Sequence, residues 1–101
     1  MSGSDKRQHA RKGVSLVGIL RAGTTPNAPS VGCEIIDLSV GGARVTLAAP
    51  MDVPDVVMLE IGQFGSYAAE LAWADYPVFG LRFKDSPDKM VEVITAIALH
   101  A

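Results

Sequence analysis

The stretch "GSYAAELAWADYPVFGLRFKD", residues 65–85, decides the fold. Tyr67, Ala69, Leu71 and Trp73 alternate with Ala68, Glu70 and Ala72, a period of two that gathers the larger side chains on one face of a strand. "ADYP" (74–77) reverses the chain, because proline cannot continue a paired strand and suits a turn. Beyond it Val78, Gly80 and Arg82 face opposite to Phe79, Leu81 and Phe83. The stretch therefore reads as two antiparallel strands, with Trp73 assigned to the core on the large-residue face.

Working back from this hairpin, four more apolar segments are divided by turn-forming residues. "GVSLVGILRA" (13–22) reads as a first strand, and "GTTPNAPS" (23–30) as a loop. "VGCEIIDLS" (31–39) and "GARVTLAA" (42–49) are two further strands divided by "SVGG", and "MDVPD" (51–55) separates them from "VVMLEIG" (56–62). Six strands joined by short turns imply a mainly β domain, an antiparallel sheet curled into a small barrel, since closure removes exposed edges. The last segment changes period: Ser86 is suited to cap a helix, Pro87 to its first position and Asp88 to its positive end, and residues 86–100 are expected to be helical. Between Met90 and Leu99 only Glu92 and Thr95 are polar, so the helix is expected to be covered on more than one side, by the barrel mouth or by a second copy in a homodimer.

The chain has 101 residues, enough for one domain, with 49% apolar and 20% charged residues, as in a folded globular protein. No apolar run reaches the roughly 18 residues that span a bilayer, and the first twelve residues lack a signal-peptide core. Membrane insertion is therefore not expected, and the cytoplasm is the expected location. Cys33 is the only cysteine; with Val31 and Ile35 on its face it reads as a small buried thiol. A G-x-S-x-G elbow, a Walker loop, a His-x-x-x-His pair and a metal-ligand cluster are all missing from the sequence, so neither an enzyme nor a metal or cofactor site is expected.

Charge is unevenly spread. Residues 1–12 hold Lys6, Arg7, Arg11 and Lys12 against Asp5 alone, a charge of +3, whereas the other 89 residues hold five bases and ten acids, a charge of −5. A basic arm can bind an anion or merely solvate a tail. The acidic remainder and a total of only six aromatics argue against a nucleic-acid platform.

Two spaced motifs give the arm a meaning. Arg7 and Arg11 form R-x-x-x-R in "RQHAR", and Asp37, Ser39 and Gly42 form D-x-S-x-x-G in "DLSVGG". On local grounds alone the second is a good strand-to-strand turn. Together, in this order, followed by Trp73 and by Gly80 and Phe83 of "GLRF", they resemble the PilZ domain family of cyclic di-GMP receptors. The resemblance runs from Arg7 to the final helix. It implies a PilZ-type barrel over 6–100: a basic arm (6–12), the barrel (13–84) and the helix (86–100), with residues 1–5 expected to be disordered.

The resemblance also implies a ligand site. Arginine's planar fork matches the O6 and N7 edge of guanine and binds phosphate, so Arg7 and Arg11 are the expected ligand contacts of an arm that orders as it closes. Asp37 and Ser39 are the acceptors that guanine's N1 and N2 donors need, although Asp37 could instead hold an arm arginine. Gly42 is expected to let the backbone turn and a base approach, and Gly41 to help the turn. Lys6, Gly41, Arg44 and Gly80 are the secondary candidates. Lys6 would serve a second bound ligand molecule, and His9 is read as a bystander. The implied function is a receptor or adaptor that signals in trans to a protein partner of motility, polysaccharide or transcription machinery. The alternative is a PilZ-like interaction module that binds no nucleotide.

Overall fold

The computed structural model describes residues 16–100. Six strands follow in chain order, β1 (Leu16–Arg21), β2 (Ser30–Leu38), β3 (Gly42–Leu47), β4 (Val56–Ile61), β5 (Ser66–Asp75) and β6 (Val78–Phe83), and then one helix, α1 (Pro87–His100). Every paired strand runs antiparallel, and the sheet closes as a barrel in the order β1-β2-β3-β6-β5-β4. The seam that closes it pairs β1 with β4, from Gly18 opposite Ile61 to Arg21 opposite Met58.

Alternating side chains fill the interior. Leu20, Ile35, Val45, Val57, Leu59 and Ile61 are fully shielded from water, and Phe79, Leu81 and Phe83 of β6 are buried as the alternation in "VFGLRF" requires. Burying a side chain of this size contributes roughly 1.5–3 kcal/mol, so the interior rows supply most of the driving force for closure. Among the described residues none that is polar or charged is buried. Cys33 lies in this interior at 5% exposure, as its neighbours in the sequence suggested, and burial pushes its thiol up to about 11.

The helix is capped as its first residues predict. The Ser86 hydroxyl accepts a hydrogen bond from the Lys89 amide at 3.3 Å, and the Ser86 carbonyl accepts the first helical bond from Met90 at 3.1 Å. Met90, Val93 and Ile97, spaced as one helical face, are buried in the barrel core. The expectation of cover on more than one side is not met within the described chain: Val91 is 51% and Leu99 77% exposed. No helix among the described residues is long and apolar enough to cross a membrane.

Candidate functional site

Two departures from alternation build the site. The β2–β3 register shifts between Ile35 and Asp37, and the β5–β6 register shifts between Leu71 and Trp73. Each is a bulge, with Ile36 or Ala72 as the extra residue, and a bulge turns the following side chain to the other face. Asp37, in step with the buried Ile35 by simple alternation, is thereby directed outward opposite Arg44. Trp73, in step with Ala69 and Leu71, is directed outward opposite Gly80.

This corrects the assignment of Trp73 to the core: it is 44% exposed. The reason lies in the bulge, which period-two reading of "YAAELAW" passes over. Gly80 is the seat of the indole. A methyl group there would overlap Nε1 and Cε2 of Trp73 and stand 2.8 Å from Cδ1, so only glycine lets the ring lie against β6. Gly80 therefore enters the site as the floor beneath an aromatic wall.

The registers align these residues in one row. Asp37 faces Arg44, Arg44 faces Gly80, and Gly80 faces Trp73, across β2, β3, β6 and β5. Along this row an open concavity of about 240 Å³ is lined by Asp37, Ser39, Gly42, Arg44, Trp73 and Gly80, among others. Every site candidate within the described residues except Gly41 borders it. Lys6, Arg7, His9, Arg11 and Lys12 lie outside the described residues.

The turn between β2 and β3 forms one rim. The Ser39 amide donates to the Gly42 carbonyl at 2.8 Å, and its hydroxyl donates to the same oxygen at 3.3 Å, which leaves the hydroxyl lone pairs as acceptors. The Phe83 amide donates to the Gly41 carbonyl at 2.9 Å, tying the turn to the end of β6. The turn does not rest on backbone freedom at Gly42. It is a strand residue without left-handed backbone, and a Cβ on it would overlap the Leu81 carbonyl oxygen. Its hydrogen side chain is needed for β3 to approach β6. Gly41 has nothing within 4 Å of where a methyl would stand.

The charges of the row are arranged in pairs. Arg44 Nη2 donates to Asp37 Oδ2 at 3.2 Å, with the side chains 48% and 42% exposed. One row away, Glu70 accepts from Arg82 and Lys84, each at 3.4 Å. Exposed pairs of this kind contribute about 0–1 kcal/mol, so they position groups more than they stabilise the barrel. Among the described residues no group of three or more His, Cys, Asp or Glu side chains could hold a metal ion. A carboxylate, a hydroxyl, a guanidinium and an aromatic face thus converge on one open groove, a set suited to a planar, polar heterocycle that carries negative charge elsewhere.

The start of β1 lies beside the row. Leu16 is opposite Ile35, two residues before Asp37, so β1 begins at the end of β2 that carries Asp37. Comparison with known proteins matches the chain to the family model "PilZ domain" over residues 5–99. No curated protein and no solved structure matches the chain.

Proposed function

Because the chain belongs to the PilZ domain family, a family of cyclic di-GMP receptors and adaptors, we propose that it binds cyclic di-GMP non-covalently and passes the bound state to a protein partner. One observation carries the reading: the row Asp37, Arg44, Gly80 and Trp73 borders a single groove together with Ser39 and Gly42. Each member has a counterpart in the ligand. The exposed indole offers a stacking face for a guanine ring. Asp37 and Ser39 offer acceptors to the guanine N1 and N2 donors. Arg7 and Arg11 would then add two guanidinium forks to an acidic barrel, for the O6 and N7 edge and for phosphate.

Reach permits this closure. Arg11 precedes Leu16 by five residues, and five extended residues span at most roughly 17 Å. Starting beside Ile35, two residues from Asp37, that length reaches the near wall of the groove. Ordering of the arm on the ligand would couple occupancy to a new surface, which is how a domain without catalytic groups transmits a signal. Lys6, ahead of Arg7, would add charge for a second ligand molecule.

Calorimetric titration of cyclic di-GMP into the purified protein tests the proposal. Saturable binding is expected, and no heat well above micromolar ligand would refute it. Arg7→Ala and Arg11→Ala should each weaken binding by about tenfold or more, since a charge-assisted contact contributes roughly 1.5–3 kcal/mol. The exposed apolar outer side of α1, Val91 and Leu99, favours a second reading, an interaction module that binds no nucleotide. A silent titration with an intact fold would select it.

A further inference from the structure

Arg44 occupies a position that ligand recognition by the two motifs leaves unused. Among the described residues it is the only cationic side chain that borders the groove. The other described arginines of the strands are engaged elsewhere, Arg21 with Glu60 at 3.6 Å and Arg82 with Glu70 at 3.4 Å. On one side Arg44 meets Asp37, and on the other it faces Gly80, whose missing side chain seats the Trp73 indole, so the guanidinium borders the groove between a carboxylate and an aromatic wall.

We propose that Arg44 is a place-holding cation that exchanges partners. In the empty groove it neutralises and orients Asp37; when cyclic di-GMP enters, Asp37 turns to the guanine donors and the released guanidinium binds a ligand phosphate. The inference rests on the cyclic di-GMP reading and deepens it.

Three features carry it. The contact to Asp37 is single, Nη2 to Oδ2, so the five-donor fork keeps donors to spare for a second acceptor. Both side chains are about half exposed, so water screens the pair and its exchange is cheap. Charge then fixes the direction. The residues after the arm hold ten acids against five bases, and a dianion placed against Asp37 with no cation in that wall would meet only like charge. Arg44 supplies the cation from the barrel, opposite the one that the arm brings.

The rival role for Arg44 is purely positional, to aim Asp37 and nothing more. A double-mutant cycle separates the two. Cyclic di-GMP would be titrated into the wild type, Arg44→Ala, Asp37→Asn and the double variant, at low and high salt, with thermal unfolding as the control for folding. Partner exchange predicts that Arg44→Ala weakens binding by about tenfold, the scale of one charge-assisted contact. It also predicts a shallower salt dependence and a similar loss when Asp37 is already asparagine. Arg44→Lys should restore part of the affinity. If Arg44→Ala binds like the wild type, or if its effect vanishes in the Asp37→Asn background, the exchange is wrong although the receptor reading stands. If the wild type does not bind, the receptor reading falls and the exchange falls with it.

Discussion

Replacing Gly42 with alanine separates two jobs that this glycine could have. If it leaves room for a guanine, the substitution should lower ligand affinity and spare the fold. The geometry assigns it a different role, because a Cβ there would overlap the Leu81 carbonyl oxygen and stand 3.1 Å from the carbonyl carbon and 3.3 Å from the Arg82 Cα. These are backbone atoms of β6, fixed by pairing on both sides, and cannot step aside as a flexible side chain would. Relief requires β3 and β6 to part at this end, which overpacks the join at a cost of roughly 1–3 kcal/mol. The adjoining bonds, Phe83 amide to Gly41 and Ser39 amide to Gly42, are strained with it, and each contributes about 0.5–1.5 kcal/mol net. A total loss of about 2–4 kcal/mol is expected, and at roughly 4–8 °C per kcal/mol the melting temperature should fall by about 10–30 °C. Urea unfolding of Gly42→Ala beside Gly41→Ala is the assay. Gly41 has open space around it, so its alanine variant should lie within about 1 kcal/mol of the wild type. A Gly42→Ala protein of unchanged stability that had lost cyclic di-GMP affinity would refute the reasoning and restore the ligand-clearance role.

Trp73 is the only tryptophan, so its emission should report ligand entry directly; Gly80→Ala, whose methyl overlaps the indole, should shift that emission to the red and weaken binding. Trp73→Ala should cost roughly 1–3 kcal/mol of affinity with little change in stability, and retained affinity would remove the indole from the site. Cys33 has its thiol raised from 9.0 to about 11 by burial, and Tyr67 is raised by burial and then by the nearby Asp85. A raised folded value contributes stability that is full below pH 9 and lost as pH rises toward 11, so urea midpoints should fall across that window, and fall less in Cys33→Ala; equal slopes would show that the thiol is not the source. Ser86→Ala should lower stability by about 1 kcal/mol through loss of the Lys89 cap, and an unchanged urea midpoint would mean that the cap adds nothing.

Much of the barrel was legible because alternation and turn chemistry agree. The faces of "VFGLRF", the burial of Cys33 between Val31 and Ile35, and the Ser86 cap all follow from local pattern, and the structure places them so. The helix was half legible. Its apolar composition predicted burial, but composition does not say how many faces are covered, and among the described residues only the Met90, Val93 and Ile97 face is buried. Site legibility divides along similar lines. Asp37, Ser39 and Gly42 were named through the resemblance that their motif carries, and the structure brings them to one groove, whereas the position of Trp73 and the pairing of Asp37 with Arg44 were not legible, because both depend on register.

The bulges themselves left a trace in the sequence, one that becomes visible when burial energetics are set against periodicity. Continued without interruption, the alternation Val31, Cys33, Ile35 would carry Asp37 into the barrel, where a carboxylate without a partner costs several kcal/mol at least. No described residue of the interior is polar or charged. A β2 that is apolar at every inward position and then acidic at the next must either end or bulge, and Asp37 still pairs with Arg44, so it bulges. Trp73 obeys the same logic with volume in place of charge. The inward row beside it already holds Ala69, Leu81, Phe79 and Phe83, and an indole added there would overpack a small barrel. Both bulges therefore expel a residue that the core cannot accept. Because they sit on β2 and β5, either side of the adjacent pair β3 and β6, the expelled carboxylate and indole face one another across Arg44 and Gly80. The groove is thus made from what the core rejects.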